Sequence, residues 1–322
     1  MDLPSLALLV LAAFYAVVNG MNDGGTLVAN GLKIQSIRLV PAIWLVTISV
    51  AVVPLFLGTR VAETFALGLA DLEGPQGQRA LAVAVVAAML VVLVLARLGL
   101  PTSLTLATIG GITGAGLGAG RPVDGGTLVT VLVMAAIAPV VGAMLAYGLA
   151  RIGAYLTTPQ GVGRVVGTGH RVAFTLQCIA YGANDGQKVL AVLLLALGLT
   201  SVGGLQLAGL LAGGAALFLL GTLVGVRRMA STIGGGVLPV RPLNAVTAEV
   251  AAGTAVLGSS FFGAPVSMTQ AIAGALVGSG VSEGVRRVRW RLVLNIGVAW
   301  VVTLPAAGLV GGIMASLTEA IV

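Results

Sequence analysis

The sequence predicts an all-α polytopic membrane protein made of two inverted repeats of about five transmembrane segments each, with broken or re-entrant helices at the core. Hydrophobic residues make up 58% of the chain and charged residues only 8%, whereas a soluble domain carries about a quarter charged residues. The apolar stretches are long enough to cross a bilayer, at roughly 20 residues each. Several polar motifs also occur twice, in the same order.

Charges and turn residues separate ten apolar segments. In round terms these are 4–32, 39–58, 79–97, 101–118, 126–150, 172–198, 203–226, 243–262, 265–281 and 292–316. The fourth and ninth are short and begin at Pro101 and Pro265. Partial re-entry stays open for these two, because a broken segment can hide irregular backbone inside the protein.

The distribution of charge indicates how the chain lies in the membrane. If all ten segments cross and the N-terminus is outside, most of the 17 Lys and Arg residues fall in cytoplasmic loops, as the positive-inside rule requires. Topology therefore explains the net charge of +7, and no nucleic-acid partner is expected. We expect a multi-pass protein of the cytoplasmic (inner) membrane. We interpret the run Arg286–Arg291 as a basic segment that fixes the orientation of the chain in the membrane; a binding site for anionic lipids is the alternative.

Three pairs of motifs recur at offsets of 162, 164 and 168 residues. They are GMNDG (Gly20–Gly24) with GANDG (Gly182–Gly186), PTSLTLATIGGITGAG (Pro101–Gly116) with PVSMTQAIAGALVGSG (Pro265–Gly280), and the weaker RVAET (Arg60–Thr64) with RMAST (Arg228–Thr232). Each half then holds five segments, and an odd number of crossings inverts the second half. We expect a first repeat at 1–150, a cytoplasmic connector at 151–171 and a second repeat at 172–322. Inverted repeats are typical of secondary transporters.

The paired Asn-Asp motifs put carboxylates among apolar residues. A charged side chain at the bilayer centre costs at least about 2.5–3.5 kcal/mol, so Asp23 and Asp185 must be neutralised, paired or near water. With Asn22, Asn184 and backbone carbonyls freed by the flanking glycines, they form a set of oxygens suited to a small cation. The sequence predicts a cation or proton coupling site, a Na⁺ site if sodium is the ion. A plain hydrogen-bond clamp between helices is the alternative.

Only the second motif is followed by Gln187 and Lys188; Gly25 and Thr26 stand in the matching places. Lys188 lies three residues after Asp185, so the two share a helix face. Lys188 therefore either neutralises this carboxylate or attracts an anion, and Gln187 adds a polar group at the same depth.

The paired Pro-x-Ser-x-Thr motifs predict helix N-termini that carry hydroxyl groups. Proline is favoured in the first turn, and unpaired backbone amides with the positive end of the helix dipole bind anions there. The candidate anion ligands are Ser103, Thr105, Ser267 and Thr269. Small residues at Gly-x-x-x-Gly spacing then allow the two short helices to pack closely.

Three residues outside these motifs stand out in the sequence. Glu249 lies in an otherwise almost uncharged segment, and an intramembrane acid is a functional candidate by default, as a proton or second cation carrier. His170, the single histidine, reads as a solvated residue of the basic connector. Cys178, the single cysteine, excludes an intrachain disulfide. Nothing indicates an enzyme, a bound cofactor or ATP hydrolysis, so an ion gradient should supply the energy.

These motifs resemble those of the inorganic phosphate transporter (PiT) family over essentially the whole chain, with GANDGQK and the stretch Val288–Pro305 among the matches. The resemblance implies symport of inorganic phosphate with Na⁺ or H⁺, a homodimer and an elevator-like motion. By motif match it assigns Asn22, Asp23, Asn184 and Asp185 to the cation and the four Ser and Thr hydroxyls to the phosphate. Glu249 falls on the family's acidic position.

The sequence departs from the family pattern at three places. Leu106 and Gln270 stand where members often have His, and Thr26 where an Asn is usual. A sulfate permease of the same fold is therefore one alternative, since sulfate is a poorer hydrogen-bond donor. A passive anion channel and a purely structural membrane protein are the others.

Overall fold

The computed structural model describes residues 3–98, 102–156, 162–199, 202–232 and 242–321. In these ranges the chain is helical, and its β pairing is one isolated bridge between Ala70 and Val123. The α-helices are α1 (Leu3–Asn19), α2 (Gly25–Gly31), α3 (Leu39–Leu57), α4 (Arg60–Glu63), α5 (Gly74–Arg97), α6 (Leu104–Gly118), α7 (Gly125–Leu156), α8 (Val162–Ala183), α9 (Asp185–Ala196), α10 (Gly204–Thr232), α11 (Pro242–Phe261), α12 (Met268–Glu283) and α13 (Trp290–Ile321). Two π-helical turns, Gly20–Gly24 and Thr64–Gly68, and a 3₁₀ turn, Val285–Arg287, complete them.

Six stretches of the described chain are long and apolar enough to cross a membrane. They are Leu6–Gly31, Leu39–Leu57, Gly74–Arg97, Gly125–Tyr155, Gly204–Arg227 and Trp290–Ile321. The prediction of an all-helical, multi-pass membrane protein is confirmed. Many of the large apolar side chains on these helices face outward, as lipid-facing residues do.

The remaining predicted segments take other forms. α6 has 15 residues and α12 has 16, which is about 22–24 Å of helix against a hydrocarbon layer of about 30 Å. The segment predicted at 172–198 is two helices, α8 and α9, divided at Asn184. α8 also begins at Val162 and α7 runs to Leu156, so helices occupy most of the predicted connector; residues 157–161 lie outside the described residues.

The packing follows the predicted duplication. α6 lies against α5 and α13, while its counterpart α12 lies against α11 and α7. Likewise, α10 packs on the first Asn-Asp turn and α3 packs on α8. The third motif pair is less symmetric, because Arg60–Glu63 forms the separate helix α4 whereas Arg228–Thr232 is the last turn of α10. Each short helix therefore rests against the last long helix of the opposite half.

Glycines bring these helix backbones into contact. A Cβ on Gly114 of α6 would lie 2.0 Å from the carbonyl oxygen of Gly308 on α13. A Cβ on Gly278 of α12 would lie 1.9 Å from the carbonyl oxygen of Ala143 on α7. The Gly-x-x-x-Gly spacing thus does allow close packing, but of each short helix on a long neighbour rather than on each other.

Replacing Gly114 with Ala should destabilise the protein. The added methyl group meets backbone, which cannot rotate away, and overpacking of this kind costs about 1–3 kcal/mol. Gly297→Ala on α13 is the matched control, since a Cβ there meets nothing within 4 Å. Thermal unfolding in detergent should show a lower midpoint for Gly114→Ala and an unchanged or higher one for Gly297→Ala. Equal midpoints would contradict the packing described.

Candidate functional site

The first Asn-Asp motif lies on the π-helical turn Gly20–Gly24, where the regular α-helix is interrupted. Asp23 is 4% exposed and its Oδ1 accepts a hydrogen bond of 2.8 Å from Nδ2 of Asn22. The Thr26 hydroxyl donates to the backbone oxygen of Asn22 at 2.6 Å. A π-helical turn of this kind is frequent at functional sites. The flanking Gly20 and Gly24 also have a packing role, because side chains there would strike α10.

The second Asn-Asp motif also interrupts its helix. Asn184 has φ −120° and ψ −76°, which separates α8 from α9. Its Nδ2 donates to the carbonyl oxygen of Ala264 at 2.9 Å, and its Oδ1 accepts from the N–H of Val266 at 3.1 Å. The side chain of Asn184 therefore holds the loop that leads into α12.

Lys188 joins the two halves of the molecule. It lies on α9 and is 2% exposed, and its Nζ donates to the carboxylate of Asp185 at 2.7 Å and to the hydroxyl of Thr105 at 2.6 Å. The third donor goes to the carbonyl oxygen of Val266 at 2.5 Å. Thr105 is in the first turn of α6, and Val266 directly precedes Ser267, the N-cap of α12. The N-termini of both short helices therefore meet at one ammonium group.

The two aspartates of the inverted motifs also come together. Asp23 and Asp185 are near enough to interact electrostatically with each other, and both also act on the hydroxyl of Tyr181. That hydroxyl donates to Oδ1 of Asn19 at 3.0 Å. Asn19 and Tyr181 are separated by the same 162 residues as the two aspartates, so this bond crosses the pseudo-symmetry axis.

Further polar neighbours of this group are not predicted from the sequence. Tyr15 bonds to Thr108 at 3.0 Å within the same buried region. Asn19 lies four residues before Asp23, and Tyr181 four before Asp185, the spacing that in an unbroken helix puts two residues on one face. That spacing was the signal available in the sequence. An apolar helix with a single Tyr or Asn one turn from a motif carried too little information by itself.

The predicted anion ligands lie at the two helix N-termini. Ser103 is the N-cap of α6 and its Oγ accepts from the N–H of Leu106 at 3.2 Å. Ser267 is the N-cap of α12, and its hydroxyl bonds to that of Thr269 at 2.8 Å. Two further polar atoms beside these termini, Thr102 Oγ1 and Gln270 Oε1, are buried with no partner among the described residues. Unpaired buried polar atoms are costly, which points to water or a ligand here.

The side chain of Gln187, also a predicted anion ligand, is hydrogen-bonded to the backbone. Its Oε1 accepts from the N–H groups of Val61 and Ala62 at 3.0 and 3.1 Å. Its Nε2 donates to the carbonyl oxygens of Gly58 and Ala183, both at 2.8 Å. These bonds use the whole amide group and fix the start of α4, so in this structure Gln187 serves the backbone of α4 and its prediction as an anion ligand stays a prediction.

Glu249 and His170 form a separate buried pair. The structure shows that the prediction of a solvated His170 is wrong, because its side chain is 0% exposed. Its Nε2 lies 3.2 Å from Oε1 of Glu249, and its Nδ1 bonds to the hydroxyl of Ser36. Lys33 is close as well: burial lowers the pKa of Lys33, and the Glu249 carboxylate opposes that shift.

The Glu249 pair also lies at a distance from the aspartates. Ser259, whose hydroxyl is 3.4 Å from Nδ2 of Asn184, is ten residues further along α11, or about 15 Å at the rise of an α-helix. Glu249 therefore does not join the Asp23–Asp185 group. Between the two clusters, Gln177 of α8 has both side-chain polar atoms buried without a partner among the described residues. Gln177 follows His170 by seven residues, so a polar line runs along this face of α8.

Comparisons with known proteins agree with this architecture. The model of the phosphate transporter family matches residues 19–165 and 157–311, about one half of the chain each. A probable low-affinity inorganic phosphate transporter of Rhizobium meliloti (strain 1021) is 31% identical over 319 residues, covering 96% of this chain and 94% of that protein. One with the same description from Bacillus subtilis (strain 168) is 26% identical, covering 96% and 95%. A solved structure described as the sodium-dependent phosphate transporter has a TM-score of 0.82 at 18% identity and covers 100% of both chains, which shows the shared fold.

The contact between His170 and Glu249 should appear as a coupling free energy. Removing either side chain leaves the other buried without its partner, which costs about 1–3 kcal/mol. His170→Ala, Glu249→Ala and the double variant form a double-mutant cycle, and residues in contact couple by about 0.5–3 kcal/mol. Unfolding in detergent should show that the double variant loses less stability than the two single losses added together. Simple additivity would show that the pair is not formed.

Proposed function

Because this chain belongs to the phosphate transporter family, we propose that it is a secondary transporter that carries inorganic phosphate with a cation, Na⁺ or H⁺, across the cytoplasmic (inner) membrane. The observation that carries this proposal is the meeting of the α6 and α12 N-termini at Lys188. The multi-pass fold and the relatives' descriptions as phosphate transporters support it. We also propose an N-terminus outside, from the distribution of Lys and Arg, and a homodimer, from the family resemblance.

Phosphate would bind between the starts of the two short helices. Each N-terminus supplies backbone N–H groups and the positive end of a helix dipole, which stabilise a buried anion. The proposed ligands are the hydroxyls of Ser103, Thr105, Ser267 and Thr269, with the charge of Lys188 beside them. Since all three donors of Lys188 are already used, it contributes electrostatic potential more than direct hydrogen bonds.

The carboxylates make the transport cation-dependent in this proposal. Asp23 has no cationic side chain within 4 Å among the described residues, and its hydrogen bond comes from the neutral amide of Asn22. A phosphate dianion next to an ionised Asp23 would be repelled in a low dielectric. A Na⁺ or a proton at Asp23 removes that repulsion, so each ligand raises the affinity for the other by the same factor. Asn22, Asp185 and Asn184 complete the proposed coupling region.

Gln270 favours phosphate over sulfate. It lies in the first turn of α12, is buried, and its Oε1 has no partner among the described residues. Monohydrogen phosphate can donate a proton to such an acceptor, whereas sulfate at neutral pH has no proton to donate. The family's usual His is missing at this place, and the Gln270 amide supplies acceptor capacity in its stead.

Asp23→Asn should abolish cation-coupled phosphate uptake while leaving the protein folded. The amide keeps the size of the side chain and removes the charge that the coupling cation neutralises. Asp124→Asn is the matched control: Asp124 is an exposed cap that accepts from the N–H of Thr127, and Asn caps about equally well. We would measure ³²P-phosphate uptake into proteoliposomes, with size-exclusion profiles as the check on folding. Unchanged coupled uptake in Asp23→Asn would contradict the assignment.

Competition separates phosphate from the alternatives. Labelled phosphate should enter when a Na⁺ or H⁺ gradient is imposed, and a large excess of unlabelled sulfate should leave that uptake largely intact. Sulfate uptake that phosphate does not inhibit, with no entry of phosphate, would identify a sulfate permease. Phosphate uptake that depends on neither the Na⁺ gradient nor the H⁺ gradient would identify a passive channel.

A further inference from the structure

The ammonium of Lys188 has the oxygen neighbours of a bound cation. A carboxylate of Asp185, a hydroxyl of Thr105 and a main-chain carbonyl of Val266 surround it at 2.5–2.7 Å. These are the hard oxygen donors that metal ions such as Ca²⁺ and Mg²⁺ take from proteins. They come from both halves of the chain, at the point where two helix N-termini meet.

A plain ion pair would not need this arrangement. One carboxylate at 2.7 Å already pairs Lys188, yet the other two protons of its ammonium also meet uncharged oxygens on separate elements. The side chain is 2% exposed, and burying an ammonium there is costly unless its charge and its donors are both satisfied. Lysine is a compact point charge with three donors on a flexible stem, so it can deliver a positive charge to a preformed group of oxygens.

The first half of the molecule lacks this feature. Residue 26, which stands 162 residues before Lys188, is Thr26, and its hydroxyl bonds to its own helix at the carbonyl oxygen of Asn22. Asp23 is nearly as buried as Asp185, and it has no cationic side chain within 4 Å in the described part of the chain. The two inverted motifs therefore differ in one respect: the carboxylate of Asp185 has a cation on its own helix, and the carboxylate of Asp23 does not.

We propose that Lys188 is a built-in cation that occupies the second-half cation site, so that a diffusible coupling cation exchanges only at the first-half site around Asp23. This inference rests on the proposed cation-coupled function and specifies it. Lys188 is then the residue that determines how many cations accompany each phosphate. Truncating its side chain should open the second site to a monovalent cation from solution.

The test compares cation-dependent stability in a background without the first site. In Asp23→Asn, raising NaCl against choline chloride at constant ionic strength should leave the thermal midpoint unchanged. In Asp23→Asn/Lys188→Ala, the vacated oxygens should bind Na⁺, and the midpoint should rise by several degrees with increasing NaCl, because a ligand that binds only the folded state stabilises it. KCl and LiCl repeats identify the preferred ion.

Lys188→Met in the same background is the matched control. Methionine has no charge but fills much of the space of the lysine stem, so Na⁺ should not gain the site and the midpoint should stay independent of NaCl. An Asp23→Asn/Lys188→Ala protein that shows no cation-dependent rise with any of the three salts overturns the proposal. The proposal is also overturned if the Asp23→Asn/Lys188→Ala protein cannot be recovered folded in any of the three salts, because the vacated site is expected to accept the ion.

Transport measurements separate this inference from the proposed function. With native Asp23, Lys188→Ala should gain at least about one extra Na⁺ per phosphate in paired ²²Na and ³²P uptake, relative to the unmodified protein. If the unmodified protein takes up phosphate but Lys188→Ala gains no Na⁺, the built-in cation is wrong and the symporter stands. If the unmodified protein takes up no phosphate, the proposed function fails, and the stability experiment still tests the site.

Discussion

The buried ammonium of Lys188 is the interaction on which the rest of the site depends. A positive charge that is 2% exposed must be both neutralised and hydrogen-bonded, or its desolvation would outweigh its attraction to Asp185. The bonds that satisfy this charge bring the first turn of α6 and the residue before the N-cap of α12 to the same point. One charged group thereby sets the positions of two helix N-termini that lie on opposite halves of the chain.

The helix packing makes that meeting possible. α6 and α12 are too short to cross the hydrocarbon layer, so their N-termini end inside the protein. Each is held by glycine-lined backbone contact with a long helix of the other half. The side chain of Asn184 also fixes the loop before α12, through two hydrogen bonds to its backbone. The polar interior is therefore surrounded by closely packed apolar helices.

Much of this architecture could be predicted from the sequence, because the duplication is local information repeated at a fixed offset. It located the breaks at both Asn-Asp motifs and the caps at Ser103 and Ser267. Contacts between distant residues were not accessible in this way. His170 appears to belong to a basic loop until Glu249, 79 residues later, is placed beside it. Gln187 likewise looks available for a ligand until the start of α4 occupies its amide. In both cases the sequence shows a polar residue without its tertiary partner.

The most direct test of the account is an experimental structure determined at saturating phosphate. We expect tetrahedral density between the N-termini of α6 and α12, within hydrogen-bonding distance of the hydroxyls of Ser103 and Ser267. Lys188 should still be bound to Asp185. Phosphate density elsewhere, for example at the basic run Arg286–Arg291, with only water between the two short helices, would contradict it.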